Sequence, residues 1–558
     1  MKVNSSALNR FWDLLVSVKK DIVPIYFYAI MNGLLQLAVP LGVQAIIGFV
    51  IGAAMVSSIY VLIFIVVVAV FMVGVMQIKQ MQVIEKIQQK IFTRFSFEFA
   101  KTIPQIDLYH QNKVYLPEKV NRFFDTINIQ KGVSKLLLEI PIASIQILLG
   151  LILLTLYHPI FIIFGLILIL ILWLILRVTW KNGLRTSLKE SSFKYSLAAW
   201  LEEVALNIKS FKHSKGTNIN LHKTDENLVG YLTSRTEHFK VLLFQYWSLV
   251  MFKVAITVGM LGVGSFLLIE QQLNIGEFIA AEIIIIMVIS AVEKLIINLD
   301  SVYDVITGLE KISRVLDLEM EKNGNQKFIP NNQGIDVQFI NFNFNFDDEP
   351  NLLENVNVHI PANSIVCVQG ELGSGKSSLL KILSLYYQKF NGTLLYNQIP
   401  CTQFSQESLR PHIGTFQHQY EIFNGSILEN ISLGRVEISY EKVIEKLKEM
   451  KIDNYFNTLK DNLETEVFPM GSNIPSTVLR IVMILRAIIN NPALLLMEEP
   501  WKDMRPKDSE HLKKYLLEFK KQSTIFIVSN DEEFAAQCDY ILKIEGKHIQ
   551  TIQNHGTK

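Results

Sequence analysis

Six runs in the first half of the chain are each long and apolar enough to cross a bilayer, which takes about 20 helical residues. They lie near 24–47, 57–78, 136–157, 159–178, 244–268 and 276–297. Backbone groups in hydrocarbon must bond within their own segment, so these runs predict six transmembrane helices. The composition agrees: half of the 558 residues are hydrophobic, 19% are charged, and mean hydropathy is +0.28. The third and fourth runs are divided only by Tyr157-His158-Pro159, a break suited to a helical hairpin.

Lysine and arginine set the orientation. Segments 48–56, 157–159 and 269–275 contain none. Segments 79–135 and 179–243 contain many, including Lys79, Lys86, Arg94, Lys181, Arg185 and Lys189. Both long segments are therefore expected in the cytosol, with both termini. They keep a helical pattern, so spans 2 to 5 are expected to continue beyond the membrane. The N-terminal 1–22 reads as an amphipathic surface helix, without the cleavage pattern of a signal peptide. Net charge is +1, which gives no reason to expect a nucleic-acid partner. Cys367, Cys401 and Cys538 have no paired or metal-ligand spacing and read as free thiols.

After the last span, a helix leads into a polar linker near 320–333. From about 334 to the end, β-rich runs alternate with helical ones, which predicts an α/β domain. The membrane domain is accordingly expected over 23–319 and the second domain over 334–558.

Gly370-Glu371-Leu372-Gly373-Ser374-Gly375-Lys376-Ser377-Ser378 follows an apolar strand and opens a helix. It fits the phosphate-binding loop pattern in its required context. Its glycines let backbone N–H groups turn toward a phosphate, and the helix N-terminus adds positive potential. Lys376 is expected to reach the β- and γ-phosphates of ATP, and Ser377 to ligate Mg²⁺. Downstream, Ala493-Leu-Leu-Leu-Met-Glu498-Glu499 reads as a buried strand ending in carboxylates. Such carboxylates hold a Mg²⁺ shell and position attacking water.

With these motifs quoted, nearly the whole chain resembles an ABC exporter half-transporter, of the type I secretion and peptide exporter group. The resemblance implies an α-helical membrane domain with long cytosolic extensions, fused to an α/β P-loop ATPase domain. It implies ATP and Mg²⁺ as cofactors, a location in the cell (inner) membrane, and transport of a protein, peptide or lipophilic cargo out of the cytosol. The partner would be a second half-transporter, in a homodimer or a heterodimer, with membrane lipid around it; a periplasmic adaptor belongs to the same resemblance. Phe346 falls where the family stacks an aromatic ring on adenine. The segments near 103–113 and 200–216 resemble the family's coupling-helix regions.

Several positions depart from the family pattern. His418 stands at the Q-loop glutamine position, with Gln417 and Gln419 beside it. Glu498 replaces the Walker B aspartate, while Glu499 keeps the position of the general base. Asn530 replaces the switch histidine, and Arg505 stands at the D-loop aspartate position. After Gly471-Ser472-Asn473, the signature Leu-Ser-Gly-Gly-Gln becomes Ile474-Pro475-Ser476-Thr477-Val478. Pro475 lacks an N–H, and Ser476 and Thr477 place side chains where backbone must approach a phosphate. Two readings stay open: a weakened clasp on ATP, or a plain helix start.

In the membrane half, Lys253, Glu282 and Glu293 are costly in lipid and should face protein or water. Lys253 and Glu282 are expected to pair, either along a substrate path or as a structural ion pair. Two functions follow. The chain is an ATP-driven exporter working as a dimer, or a nucleotide-binding, poorly hydrolysing subunit of a heterodimer whose partner carries the intact motifs.

Overall fold

The computed structural model describes residues 5–52, 56–109, 115–213, 217–330, 333–346, 349–417, 421–457 and 459–554. The chain divides into two compact units. The first comprises residues 1–105 and 114–318, and the second 106–113 and 319–558.

The first unit is helical: α1 (Ser5–Ser17), α2 (Lys19–Gln36), α3 (Ala38–Ile51), α4 (Val56–Thr102), α5 (Leu116–Val120), α6 (Asp125–Tyr157), α7 (Ile160–Leu206), α8 (Ile208–His213), α9 (Ile219–Ile269), α10 (Ile275–Ile297) and α11 (Leu299–Leu316). All six apolar runs are helical, and six helical segments among the described residues are long and apolar enough to cross a membrane. The first is interrupted at Leu37. Pro40 explains the break, because it offers no N–H to the Gln36 carbonyl one turn earlier. His158 is extended, as a residue before proline prefers, and it separates α6 from α7. The chain enters α10 through a capping box: Asn274 accepts from the Glu277 N–H, and Glu277 accepts from the Asn274 N–H. Helices α4, α7 and α9 run 47, 47 and 51 residues, well beyond the roughly 20 that a bilayer needs.

The expected partner of Lys253 needs correction. Its Nζ lies 2.7 Å from Glu293 Oε2, not against Glu282. Helices α9 and α10 form a hairpin, so depth decides the partner. Counted from that hairpin, Lys253 lies 16 residues from Ile269, Glu293 lies 18 from Ile275, and Glu282 only 7. At about 1.5 Å of rise per residue, Glu282 misses the lysine's depth by roughly 13 Å.

Apolar packing within this unit centres on three clusters. One lines α6, α7, α9 and α10, through Phe161, Phe252, Ile284 and Val288. A second joins α1 to α4 and α11, through Leu14, Ile91 and Ile312. Arg10 of α1 adds ion pairs to Glu98 at 2.7 Å and Asp317 at 2.5 Å. The third surrounds Tyr303, whose ring is fully buried. Here Gly183 allows a close approach: a Cβ at that position would lie 2.4 Å from the Tyr303 ring. The ring cannot swing away, because its hydroxyl accepts from Gln245 Nε2 at 3.0 Å and Trp180 and His238 flank it. Gly183→Val is therefore expected to destabilise the unit by about 1–3 kcal/mol, read as a lower thermal midpoint in detergent.

The second unit is α/β. Its strands are β1 (Val337–Phe344), β2 (Leu353–Ile360), β3 (Ile365–Gly370), β4 (Asn391–Tyr396), β5 (Ile399–Pro400), β6 (Ile413–Phe416), β7 (Gly425–Ser426), β8 (Glu466–Val467), β9 (Leu494–Glu498), β10 (Thr524–Val528), β11 (Tyr540–Glu545) and β12 (His548–Gln553). Its helices are α12 (Lys376–Leu383), α13 (Gln406–Leu409), α14 (Ile427–Ser432), α15 (Tyr440–Glu449), α16 (Ser476–Ile488), α17 (Pro506–Phe519) and α18 (Glu532–Ala535). The main sheet has the order β12-β11-β3-β10-β9-β6, parallel except at the β12 edge. A smaller antiparallel sheet, β2-β1-β4-β5, carries the Phe-rich strand β1. The central strands are buried except at the carboxyl ends of β3 and β9, as strands covered on both faces should be.

The stretch expected as a polar linker is packed onto this unit. Arg410 forks onto both Glu321 carboxylate oxygens at 2.7 Å, and Gln326 forms a bridge with Phe404. Such bidentate charge-assisted bonds explain why these polar residues are held rather than left as a free connection.

Candidate functional site

Strand order assembles the site. β10 lies between β3 and β9, with Val528 in register with both Val368 and Glu498. The phosphate loop after β3, the carboxylates at the end of β9 and Asn530 after β10 therefore meet at one edge of the sheet. Ligands of parallel α/β sheets bind at this carboxyl edge.

Three glycines shape the loop. Gly373 and Gly375 have φ of 83° and 98°, and Gly370 has φ of 156°. Gly375 is the residue just before α12, and its left-handed backbone turns the chain into the helix. Lys376 folds its ammonium back to donate to the carbonyls of Gly370 and Glu371, at 2.7 and 2.6 Å. Ser374 Oγ is buried with no hydrogen-bond partner among the described residues. An ammonium resting on loop carbonyls and an unpartnered hydroxyl are groups that phosphate oxygens can engage. Glu371, Leu372 and Gly373 are exposed at the loop tip, while Ser377 and Ser378 sit half-buried in the first turn of α12.

Ser377 Oγ donates to Glu498 Oε1 at 2.5 Å. Hydroxyl and carboxylate oxygens form the hard donor set that suits Mg²⁺. Glu498 reaches that hydroxyl directly, as its extra methylene allows. Glu499 has φ of 46°, a left-handed backbone for a residue with a side chain. Its N–H donates to the Val528 carbonyl at 2.9 Å, and its own carbonyl accepts from Arg480 at 3.1 Å and from the Lys502 N–H at 3.2 Å. Asn530 lines a cavity of about 670 Å³ together with Gly370, Glu371, Ser374 and Glu545. Beside it, Asp531 works against its own burial: Lys513 at 2.6 Å and the N–H of Phe534 hold its carboxylate below the ordinary range.

The signature segment starts a helix. Pro475 precedes α16 with φ −57° and ψ 138°, without a side-chain cap. Pro475 and Ser476 are exposed, Thr477 is half-buried, and Ile474 and Val478 are buried. Val478 thus faces the core, where a glutamine would need polar partners. Gly471 has φ of 69°, and a Cβ there would strike Leu479. Arg505 pairs with Asp508 at 2.7 Å. Gln417 follows β6 with a buried amide nitrogen that lacks a partner among the described residues. His418 lies outside the described residues. Phe346 is half-buried against Phe344 and Tyr387. Lys253 and Glu282 belong to the helical unit and take no part in this edge.

Two neighbours of the site are marked as site residues by no sequence motif, although Tyr109 falls in the segment that resembles a coupling-helix region. Arg480 is buried inside α16 and bonds Glu499, although it reads as one charge in an apolar helix. Tyr109, more than 200 residues upstream, packs on Phe346.

Residues 353–502 match the family described as ABC transporter. The chain is 25% identical over 358 residues to the alpha-hemolysin translocation ATP-binding protein HlyB of Escherichia coli O157:H7, covering 64% of this chain and 51% of that protein. It is 25% identical over 338 residues to the leukotoxin translocation ATP-binding protein LktB of Mannheimia glucosida, covering 59% and 48%. The chain thus spans about half the length of these curated relatives. Among solved structures it resembles a bacterial Atm1-family ABC exporter with ATP bound. That likeness has a TM-score of 0.86 at 17% identity, over 96% of this chain and 95% of the other. The chain carries an ABC transporter domain fused to a unit with six membrane-type helices, in the fold of an ABC exporter.

Proposed function

We propose that the chain is an ATP-binding exporter subunit that works as a dimer in the cell (inner) membrane. Its ATP-binding domain and both termini lie in the cytosol, and it moves cargo outward. The observation that carries this reading is the convergence of Lys376, Ser377, Glu498 and Glu499 at one sheet edge, in a chain with six membrane-length helices. The names of the hemolysin and leukotoxin translocation relatives favour a protein or peptide cargo over a lipophilic one.

Within the site, Lys376 and the loop N–H groups bind the phosphates of ATP, and Phe346 stacks on its base. Ser377 and Glu498 hold Mg²⁺, which supplies charge neutralisation on the phosphates when bound. Glu499 orients the attacking water. Asn530 can hold a hydrogen bond to this assembly but cannot titrate as histidine does.

The buried Val478 and the Pro475 helix start favour a second feature: this chain clasps a neighbour's nucleotide poorly. In a heterodimer whose partner carries Leu-Ser-Gly-Gly-Gln, this chain would bind nucleotide at its phosphate loop but hydrolyse it poorly, and its own Ile474–Val478 segment would weaken the partner's opposite site. Co-purification from native membranes tests it; a complex containing only this chain removes the heterodimer.

The test of the main reading compares ATP binding with ATP turnover by purified chain. Lys376→Ala is expected to weaken ATP binding by about tenfold or more, as loss of charge-assisted bonds to phosphate should. Wild-type turnover is expected to be far below one per second, against the 1–10³ per second of ordinary enzymes. Binding that ignores Lys376 would remove the site; turnover within the ordinary range would remove the slow-hydrolysis reading.

A further inference from the structure

Phe346 belongs to a box of four aromatic rings. Tyr109 lies parallel to Phe346, at 6.0 Å between centroids and 23° between planes. Phe344 and Tyr387 form a second parallel pair, at 5.7 Å and 9°. The pairs are mutually perpendicular: Tyr109 meets Phe344 and Tyr387 at 89° and 88°, and Phe346 meets them at 82° and 87°. Edge-to-face and offset-parallel contacts are the favoured aromatic geometries, so the four rings hold one another's planes. Tyr109, Phe344 and Tyr387 are buried; Phe346 alone is half-buried. Only Phe346 can offer a face to a ligand.

Tyr109 is fixed independently. Its hydroxyl donates to the Asn345 carbonyl at 2.9 Å, and its N–H donates to Asp107 Oδ1 at 2.8 Å. The Asp107 N–H donates to the Glu319 carbonyl at 2.9 Å, beside a bridge between Ile106 and Met320. Lys389 Nζ lies 5.0 Å from the Tyr109 ring centre, and Lys381 of α12 lies 5.6 Å from that of Tyr387. The box therefore also touches the helix that opens at the phosphate loop. The Tyr109–Phe346 separation is too small for a base between them, since a base needs about 3.5 Å on each side.

We infer that Tyr109 is a positioning residue for the nucleotide base: it backs Phe346, so that a purine stacks on the open face of that ring. This inference rests on the reading of the phosphate loop as an ATP site. It gives the stretch 106–109, which lies in sequence between two long helices of the first unit, a part in recognising nucleotide.

The experiment measures equilibrium binding of ATP and of inorganic tripolyphosphate to the full chain in detergent. Tripolyphosphate reports the phosphate loop without a base. Tyr109→Leu, which keeps bulk but removes the flat ring, is expected to weaken ATP binding roughly three- to tenfold and to leave tripolyphosphate unchanged. Tyr109→Phe is expected to keep most of the ATP affinity. In a Phe346→Ala background, Tyr109→Leu is expected to add nothing, because the two rings act as one unit. Equal losses for ATP and tripolyphosphate, or a Tyr109→Leu effect that persists without Phe346, would overturn the inference. Failure of Lys376→Ala to weaken either ligand would instead remove the ATP-site reading on which it rests.

Discussion

Glu498→Asp is expected to raise ATP turnover by about tenfold while leaving ATP affinity within about twofold. The argument is one of reach. In this chain Ser377 Oγ donates directly to Glu498 Oε1. Ser377 and Glu498 would hold Mg²⁺ only if both oxygens were free to face the ion rather than each other. Glu498 must therefore draw back for the ion to be held, on a side chain one methylene longer than aspartate's. A misplacement of about 1 Å near the reacting groups can cost about a hundredfold in rate. On the proposed reading, the Ile474–Val478 segment would limit the gain to a part of that, because aspartate would restore only the metal site. Phosphate release per chain at saturating ATP, with the Lys376→Ala rate subtracted, measures the effect. The Mg²⁺ concentration for half-maximal ATP binding should fall in the same variant. A rate unchanged or lowered by Glu498→Asp would show that the longer arm does not limit the site.

The contrast between Glu498 and Lys253 shows what the sequence can carry. The phosphate loop was legible because strand, glycine loop and helix are contiguous, and local geometry alone sets Gly373, Gly375 and Lys376 in place. The six membrane-length helices were legible because hydropathy is a property of each segment by itself. That Glu498 touches Ser377 depends on β10 entering between β3 and β9, and strand order is not a local property. Lys253 fails for a related reason. Helical period places Lys253, Glu282 and Glu293 by face, but only the antiparallel depth across the α9–α10 hairpin selects Glu293. The polar stretch after α11 read as a linker because Glu321 and its neighbours are hydrophilic, yet Arg410, 89 residues away, draws it onto the sheet unit. Tyr109 is the extreme case. The resemblance of 103–113 to a coupling-helix region marks the segment, but nothing local in it selects Tyr109 or its partner 236 residues downstream at Asn345.

Arg480→Met is expected to lower the thermal midpoint and, measured in the Glu498→Asp background, to cut turnover about tenfold without changing ATP affinity. Arg480 lies in the second turn of α16, the helix that begins at the altered signature, and its side chain is 3% exposed. Its guanidinium donates to the Glu499 carbonyl at 3.1 Å, approaches Asp503 at 3.7 Å and lies 5.8 Å from the Phe416 ring centre. Glu499 is held with φ of 46°, a conformation that costs on the order of 1–3 kcal/mol and persists only when its surroundings over-determine it. Three hydrogen bonds do so: its N–H to Val528, and its carbonyl from Lys502 and from Arg480. Methionine preserves much of the bulk and removes the third bond, at a cost of about 1.5–3 kcal/mol for a bond from a charged donor. The released backbone can then relax toward an ordinary φ, which carries the Glu499 carboxylate away from the end of β9 and from Ser377. The phosphate loop is built on β3 and α12 and does not use this bond, so ATP affinity is the internal control. A lower midpoint with turnover per bound ATP unchanged would show that Arg480 only fills space. The expected pattern, lost rate at constant affinity, would mean that α16 holds in place the Glu499 carboxylate proposed to orient the attacking water.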